Sequence, residues 1–230
     1  KRALKIKSKD LATIYNNAND GILRIDKQGV FLAVNKRWCN MMGYEEKDFL
    51  NKNFKLFTHK FDLPMCKIAV SNIITQKQAS IELYKRYIHK NGSILYCRTY
   101  LKAIFDKNNK FKYIIAFVTD ITKNYHIQKD LNDLNTALND AANITKVDVN
   151  GFIVDVNNIT CKDAGYTRKE LIGKHTRILK SGIHPKSFFT ELWKTVLAGK
   201  VWRGEICNKR KDGSFYWLYS IITPILNSKK

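Results

Sequence analysis

The segment Gly173–Trp217 holds the residues whose types and spacing are best suited to binding chemistry. It contains two tryptophans, Trp193 and Trp202, in a basic stretch that glycines interrupt. It ends in a hairpin signal, Lys211–Gly213, followed by further aromatic residues. Large aromatics that border a sheet, with a few polar groups between them, suit a planar organic ligand. The alternative is that the same residues fill a core.

Motifs for catalysis are not evident. The sequence has no paired carboxylates, nucleophile triad, phosphate-binding Walker loop or H-E-x-x-H pattern. The five cysteines are scattered, and no C-x-x-C or Cys/His spacing indicates a zinc site. We therefore expect a chain that is not an enzyme, whose cysteines are reduced thiols in a cytoplasmic setting.

Composition indicates a globular protein of one large or two small domains, with 230 residues, 44% hydrophobic and 27% charged. No apolar run approaches the ~18 residues that span a bilayer, so no direct membrane insertion is expected in this segment. The first residue is not Met and no signal-peptide pattern follows, which predicts a piece of a longer protein.

The net charge of +21 raises nucleic acid as a possible partner. Arginine, the usual reader of base edges, is sparse, and the lysines are spread along the whole chain. We therefore expect no nucleic-acid partner, and a charge-driven nucleic-acid-binding regulator is kept only as an alternative.

An internal repeat organises the chain. Gly29 and Gly151 are 122 residues apart, and the same offset aligns Asn35 with Asn157 and Gly43 with Gly165. Later in the repeat, Lys90–Ser93 aligns with Lys211–Ser214 at an offset of 121. So many turn and cap residues in register indicate two copies of one module of about 110 residues.

Each copy has the same order of predicted elements. A β-hairpin is followed by short helices that start at Asn35 or Asn157, then by a longer helix, near Leu63–Gln76 and Pro185–Ala198. Two strands joined at a Lys-[Asn/Asp]-Gly turn come next, and the first copy has a fifth strand, Lys112–Asp120. This order predicts an α+β fold, a five-stranded antiparallel sheet with helices on one face.

Both copies resemble PAS domains. The first carries the typical Asn19–Gly21, Val34–Asn35, Met42–Tyr44, Lys90–Gly92 and Thr119–Thr122 motifs. We divide the chain into an N-terminal helix at 1–17, PAS domain 1 at 18–122, a helical linker and possible coiled coil at 123–142, and PAS domain 2 at 143–230. The second copy lacks the counterpart of Lys110–Ile121, so its last strand is absent from this chain.

The predicted linker has apolar residues at heptad spacing, Ile127, Leu131, Leu134, Leu138 and Ala141. The resemblance implies a homodimer through such flanking helices, with an output domain in the same polypeptide. The alternative is a helix that packs on its own domain. The parent protein is expected to be a histidine kinase, a diguanylate cyclase or a chemotaxis-type transducer.

The segment Gly173–Trp217 also resembles the FAD-binding subgroup of PAS domains that includes NifL and Aer. The resemblance rests on its I-L-x-S-G, L-W, W-x-G and N-K-R-K patterns. It implies non-covalent FAD and a redox or oxygen sensor. The cofactor-binding residues that it implies are Thr145, Thr176, Lys180, Ser181, Trp193, Trp202 and Asn208.

Within that resemblance, Trp193 lies against the isoalloxazine, Asn208 bonds its polar edge, and Thr145 offers a hydroxyl near its reactive nitrogen. Lys180 and Ser181 fall near the ribityl and phosphate region. Thr176 stands where NifL has a glutamate, which leaves the proton path open. The first module lacks matching groups, so it is expected to be empty, a relay, or a pocket for a different ligand.

Two other cofactors fit the sequence less well. His59 and His184 precede the long helices near the haem-ligand position of haem PAS domains, but haem is not expected. A light-sensing flavin adduct needs a cysteine, and Thr176–Lys180 contains none. The alternative to FAD is a cofactor-free dimerisation and protein-interaction module, or binding of another small ligand.

Overall fold

A computed structural model describes residue 10 and residues 12–75 and 79–225 of the chain. The chain divides into two compact units, Lys1–Lys129 and Asp130–Lys230. The predicted N-terminal helix is described only in part: residues 10 and 12–17 are helical and form α1. The rest of the predicted helix, residues 1–9 and residue 11, lies outside the described residues.

Unit 1 is built on one antiparallel sheet. Its strands are β1 (Gly21–Ile25), β2 (Phe31–Val34), β3 (Ile81–Ile88), β4 (Ile94–Phe105) and β5 (Phe111–Asp120). They lie side by side in the order β2-β1-β5-β4-β3, so the last strand is central. The helices between β2 and β3 are α2 (Lys36–Met42), α3 (Glu46–Phe49) and α4 (Leu63–Ile74), with short 3-10 turns at Phe54–Phe57 and Lys60–Asp62.

The core of unit 1 lies between the sheet and these helices. The pleat of β5 directs Ile114, Ala116 and Val118 inward, where each is at most 1% exposed. Aromatic rings from the helical side, including the fully buried Trp38 and Phe49, pack against this face in edge-on and tilted contacts. The predicted five-stranded sheet is confirmed for this module.

Helix α5 follows β5 as one continuous helix, Thr122–Ala141. Near its start, the ring of Tyr125 stacks on Tyr96 of β4 at a centroid distance of 3.7 Å. None of its residues is buried. The heptad residues Ile127, Leu131, Leu134 and Leu138 are 48–57% exposed, so the alternative in which they pack on their own unit is not what the structure has.

Unit 2 repeats the first part of this architecture. Its strands are β6 (Thr145–Val147), β7 (Ile153–Val156), β8 (Trp202–Lys209) and β9 (Phe215–Ile222). Its helices are α6 (Asn158–Ala164), α7 (Arg168–Leu171) and α8 (Lys186–Leu197), with a 3-10 turn at Thr176–Leu179. Among the described residues the strands form two separate hairpins, β6-β7 and β8-β9, because no strand lies between β6 and β9.

With no described strand between β6 and β9, the packing of unit 2 differs from that of unit 1. In unit 1, β5 bonds to both β1 and β4 and supplies the innermost core side chains. In unit 2 the described core is smaller and centres on Ile153, Val156, Ala164, Leu171 and Leu179. Inward-facing residues of β6 and β9 are therefore left partly exposed.

The predicted helix starts at the two repeated asparagines are confirmed. Asn35 Oδ1 accepts hydrogen bonds from Trp38 N and Ile22 N, each at 2.9 Å. Asn157 Oδ1 accepts from Thr160 N at 3.0 Å and Ile144 N at 3.1 Å. One amide side chain thus caps a helix and also satisfies the start of the first strand in each module.

Candidate functional site

The outer edge of β8 is closed by residues 180–184, and unit 1 has the same arrangement at β3. Lys180 forms an isolated antiparallel bridge with Asn208, as Thr58 does with Tyr87. Both pairs occupy matching positions of the repeat. The bridge satisfies edge-strand groups that would otherwise be open for pairing, and it fixes Asn208 at one point on the sheet.

His184 provides the second contact at this edge. Its Nε2 accepts a hydrogen bond from Cys207 N at 2.9 Å. At the matching position of unit 1, Asp62 Oδ2 accepts from Arg86 N at 2.7 Å. The His184 ring also stacks on Phe188 at 4.2 Å. On the sequence His184 was considered only as a haem ligand, and haem was not expected; in the structure its Nε2 nitrogen holds β8.

The side chains of Ser181 and Lys180 point to different surroundings: one bonds to the strand edge and the other faces solvent. The Ser181 hydroxyl donates to the Cys207 carbonyl oxygen at 2.7 Å, so it holds the strand edge. Lys180 is exposed, and its Nζ lies 5.6 Å from the centre of the Phe189 ring. Of this pair, only the Lys180 ammonium faces solvent and is available to an anionic ligand.

A cavity in unit 1 shows where the fold leaves internal space. It lies between the sheet and α4, with a volume of about 20 Å³. Three residues on its wall, Leu23, Phe54 and Tyr87, come from β1, the first 3-10 turn and β3. The wall also includes residues of β4, β5 and α4. The cavity lies on the face of the sheet that the helices cover.

Three predicted ligand residues of unit 2 align in the repeat with wall residues of the unit 1 cavity; Thr145 is exposed, and Thr176 and Asn208 are half-buried. By the offsets of the repeat, Thr145 matches Leu23, Thr176 matches Phe54, and Asn208 matches Tyr87. The correspondence holds structurally, because the 3-10 turn, its flanking bridge and the strand pair recur at the same offsets. Apolar and aromatic wall residues of the first module are thus replaced by hydroxyl and amide groups in the second.

Asn208 has a tyrosine as its neighbour across the hairpin. Tyr216 is its direct partner between β8 and β9, so the two side chains share one face. Burial raises the pKa of Tyr216, and the interaction with Asn208 acts in the opposite direction.

Trp193 lies on α8 beside the turn of the β6-β7 hairpin. A Cβ atom at Gly151 would stand 3.2 Å from Trp193 Cζ2 and 3.0 Å from His175 Cε1. Gly151 also has φ of +83°, a conformation that favours glycine. Trp193 is half-buried, and at the matching position Ser71 of unit 1 lines an open surface groove. Trp193 thus fills a space that the first module leaves open.

Trp202 packs along its own strand. A Cβ atom at Gly204 would lie 2.7 Å from its Cη2, so the W-x-G pattern leaves the ring room to lie across the strand. Its ring also meets Phe188 edge-on at 5.5 Å. Trp202 therefore joins β8 to α8, a packing role that the sequence did not separate from ligand contact.

The part of the chain that the structure describes holds neither a cluster of metal ligands nor a helix able to span a membrane. Within it, no three His, Cys, Asp or Glu side chains come together as a metal-ion site. Across residues 12–75 and 79–225, no helix has the length and hydropathy that a bilayer crossing needs.

Unit 1 is a five-stranded antiparallel sheet covered on one face by helices, with a small cavity between them, and unit 2 repeats its order of elements. A family model described as "PAS fold" matches residues 31–118, and one described as "PAS domain" matches residues 141–230. The chain therefore belongs to the PAS family and carries two PAS domains. It is a sensory, signal-transduction region, and such domains are not catalytic.

Relatives agree with this assignment. The nitrogen fixation regulatory protein of Klebsiella oxytoca is 34% identical over 84 residues, 36% of this chain and 17% of that protein. The aerotaxis receptor of Escherichia coli is 30% identical over 97 residues, 42% of this chain and 19% of the receptor. The chain thus matches about a fifth of the length of these relatives.

One relative is similar along most of the chain. The biofilm dispersion protein BdlA of Pseudomonas aeruginosa is 18% identical over 223 residues, 90% of this chain and 50% of that protein. Among solved structures, an RNA-binding light-oxygen-voltage receptor is similar with a TM-score of 0.50 at 13% identity. That similarity covers 58% of this chain and 38% of the receptor, and it concerns the fold alone.

Proposed function

We propose that PAS domain 2 binds FAD non-covalently and senses redox state or oxygen. The supporting observation is the exchange of wall residues between the modules. Thr145, Thr176 and Asn208 place hydroxyl and amide groups at positions where unit 1 has Leu23, Phe54 and Tyr87. A flavin needs apolar faces and a few donors and acceptors at its polar edge, and this set supplies the polar part.

Each residue has a distinct task in this proposal. Bound FAD supplies a redox-active ring whose hydrogen-bonding edge differs between oxidised and reduced states. Asn208 and Thr145 would hold that edge, and Trp193 would cover an apolar face. The exposed Lys180 ammonium would compensate phosphate charge. Thr176 provides a hydroxyl in place of a carboxylate. It can donate or accept a hydrogen bond, but it does not take up a proton as a carboxylate does.

A relay to an output domain outside this chain is part of the same proposal. Asn208 lies on β8, whose outer edge is held by Ser181 and His184. A change in the hydrogen bonds of Asn208 would therefore shift β8, a strand whose outer edge is held in place. At the other end of the module, Asn157 bonds to the end of α5. Two alternative packings of the sheet would then favour two different positions of α5.

We also propose that two copies of the chain pair in parallel through α5. Ile127, Leu131, Leu134 and Leu138 follow coiled-coil spacing and are about half exposed. When two such helices pair, the leucines at these intervals are removed from water, which makes the pairing favourable. Homodimerisation would align the two α5 helices and couple the paired sensors.

An absorbance spectrum of the purified chain tests the cofactor. Flavin gives bands in the blue and near-ultraviolet that bleach with dithionite. The protein as isolated is measured first, then again after incubation with FAD and removal of unbound FAD. A folded protein that stays colourless after this treatment refutes FAD binding. A haem Soret band would replace flavin with haem.

The second candidate is a cofactor-free dimerisation and interaction module. The packing of Trp202 on Phe188 and Gly204 favours it, since that ring is engaged without any ligand. The two candidates separate in the same samples. A protein that stays colourless after incubation with FAD but is dimeric supports the interaction module. A protein that neither binds FAD nor forms a dimer refutes both candidates.

A further inference from the structure

Lys85 is a buried lysine in the core of unit 1. It lies on β3 between Leu83 and Tyr87, and the pleat directs all three side chains inward. Only 7% of Lys85 is exposed. Lysine side chains usually extend their ammonium group to water, and full burial is rare unless the charge is paired. The position therefore calls for a partner.

The partners that the described structure gives Lys85 are neutral. Its Nζ lies 4.4 Å from the centre of the Tyr87 ring and 5.1 Å from that of Phe54. The Tyr87 hydroxyl and the Cys66 thiol are the polar groups that act on the pKa of this ammonium. Burial raises the pKa of Tyr87 and of Cys66, so both are uncharged at neutral pH.

Among the described residues, no carboxylate pairs with this charge. None of the ion pairs formed within residues 12–75 and 79–225 includes Lys85. The ring faces and the two neutral polar groups offset part of the desolvation cost, but an ammonium in an apolar interior is stable only with a strong partner. An anion at this place would supply the missing charge.

A small cavity adjoins Lys85. Lys85, Tyr87 and Cys66 lie on the wall of the 20 Å³ cavity, and the rest of the wall is apolar. That volume holds about one water-sized group. A larger guest must therefore displace a side chain.

Two residues separate this cavity from a groove on the surface. Phe54 and Val70 line both this cavity and an outer groove of about 350 Å³. Lys27, Lys55 and Lys67 line the groove as well, so its mouth is strongly positive. Clustered positive charge raises the local concentration of anions. Movement of Phe54 and Val70 would join the two spaces.

We propose that the core of PAS domain 1 binds a short-chain monocarboxylate, with its carboxylate on Lys85 and Tyr87 and its alkyl tail against the apolar wall. One ammonium and one hydroxyl satisfy a carboxylate, whereas a phosphate requires more donors. The site is specific to the first module, because Ile206 occupies the position of Lys85 in the second. It is independent of a flavin in PAS domain 2.

A pair of probes tests charge recognition in the unmodified chain. Butyrate and butyramide have similar size and shape, but only butyrate is an anion. We expect butyrate to raise the melting temperature of unit 1 above a sodium chloride control at equal ionic strength, while butyramide does not. Equal effects of acid and amide, or no effect of butyrate, would overturn the proposal.

Variants then assign the effect to Lys85. Lys85→Met should weaken butyrate affinity, measured by calorimetry, by at least about tenfold, because it removes a charge-assisted hydrogen bond. Lys102→Met loses the same charge from the exposed face of β4 and should bind as the wild type does. Unchanged binding by Lys85→Met refutes the site. Should Lys85→Met not fold, the acid-amide comparison decides alone.

Discussion

Asn157 fastens the end of α5 to the first hairpin of PAS domain 2, through a hydrogen bond from its Nδ2 to the carbonyl oxygen of Asn139 at 2.7 Å. A second bond reaches the carbonyl of Ala142 at 2.6 Å. In unit 1, Asn35 donates in the same way to the carbonyls of Tyr15 and Asp20. Each PAS domain thus binds the helix that precedes it through one repeated amide.

Asn157→Asp separates the two tasks of this residue. An aspartate keeps the Oδ1 acceptor that caps α6, but it cannot donate to Asn139 or Ala142. We expect amide hydrogen exchange in the last turn of α5 to accelerate by about tenfold, equivalent to roughly 1.4 kcal/mol, while α6 stays protected.

The matched control for this change is Asn35→Asp. It should accelerate exchange near Tyr15 and leave the last turn of α5 unchanged. Unaltered exchange in that turn of Asn157→Asp would show that the side chain does not fasten the helix.

Exchanging wall residues between the modules tests the flavin site. Thr145→Leu and Asn208→Tyr install the residues of unit 1 and remove the polar groups proposed for the FAD edge. We expect FAD affinity, followed by flavin fluorescence, to fall by about tenfold for each variant, because each loses one hydrogen bond. Asn72→Leu, a polar-to-apolar change on α4 of unit 1, serves as control and should retain FAD.

If both exchange variants still bind FAD, the flavin site does not include Thr145 and Asn208. If no variant, nor the wild type, takes up FAD, the proposed cofactor itself fails. The measurement therefore distinguishes a wrong site from a wrong ligand.

The exposed face of α5 predicts a dimer that charge can disrupt. The double change Leu131→Lys and Leu134→Lys places like charges on the proposed helix pair and removes its apolar contacts. We expect sedimentation to show a monomer. The stability of each unit should change little, because both leucines are about half exposed.

Asn132→Lys and Thr136→Lys add the same charges to the other side of α5 and should preserve the dimer. A wild-type chain that is monomeric at every concentration tested would contradict the pairing.

Asp62 and Arg86 predict a pH dependence of stability in unit 1. Hydrogen bonds from the Arg86 guanidinium hold the pKa of Asp62 below its usual range. Because the folded-state pKa is lower than the unfolded one, the stabilisation is present at neutral pH and is lost as pH falls through the folded pKa.

Asp62→Asn should lower the free energy of unfolding near pH 7 by about 2 kcal/mol, the cost of a charge-assisted bond. Urea unfolding near pH 3 should show a smaller difference from the wild type, because the wild-type carboxylate is then increasingly protonated. A difference that stays constant between the two pH values would exclude the ion pair as its cause.

The sequence by itself determined the repeat and the architecture of each module. Gly43 and Gly165 end short helices in the left-handed conformation, and Asn35 and Asn157 begin them, because these backbone positions depend on local chemistry. Strand and helix positions followed from periodicity and turn residues for the same local reason. The resemblance to PAS domains, now confirmed, rested on this punctuation.

Only the tertiary structure decided what each side chain contacts. It turned Ser181 and His184 to the edge of β8 and laid Trp202 across Gly204. Lys85 gave only a weak signal in sequence, as one charged residue at an inward position of an alternating strand. Its burial beside Tyr87 and Cys66 depends on α4 and the sheet meeting across the core. Contacts between residues far apart in sequence depend on packing, which local patterns do not specify.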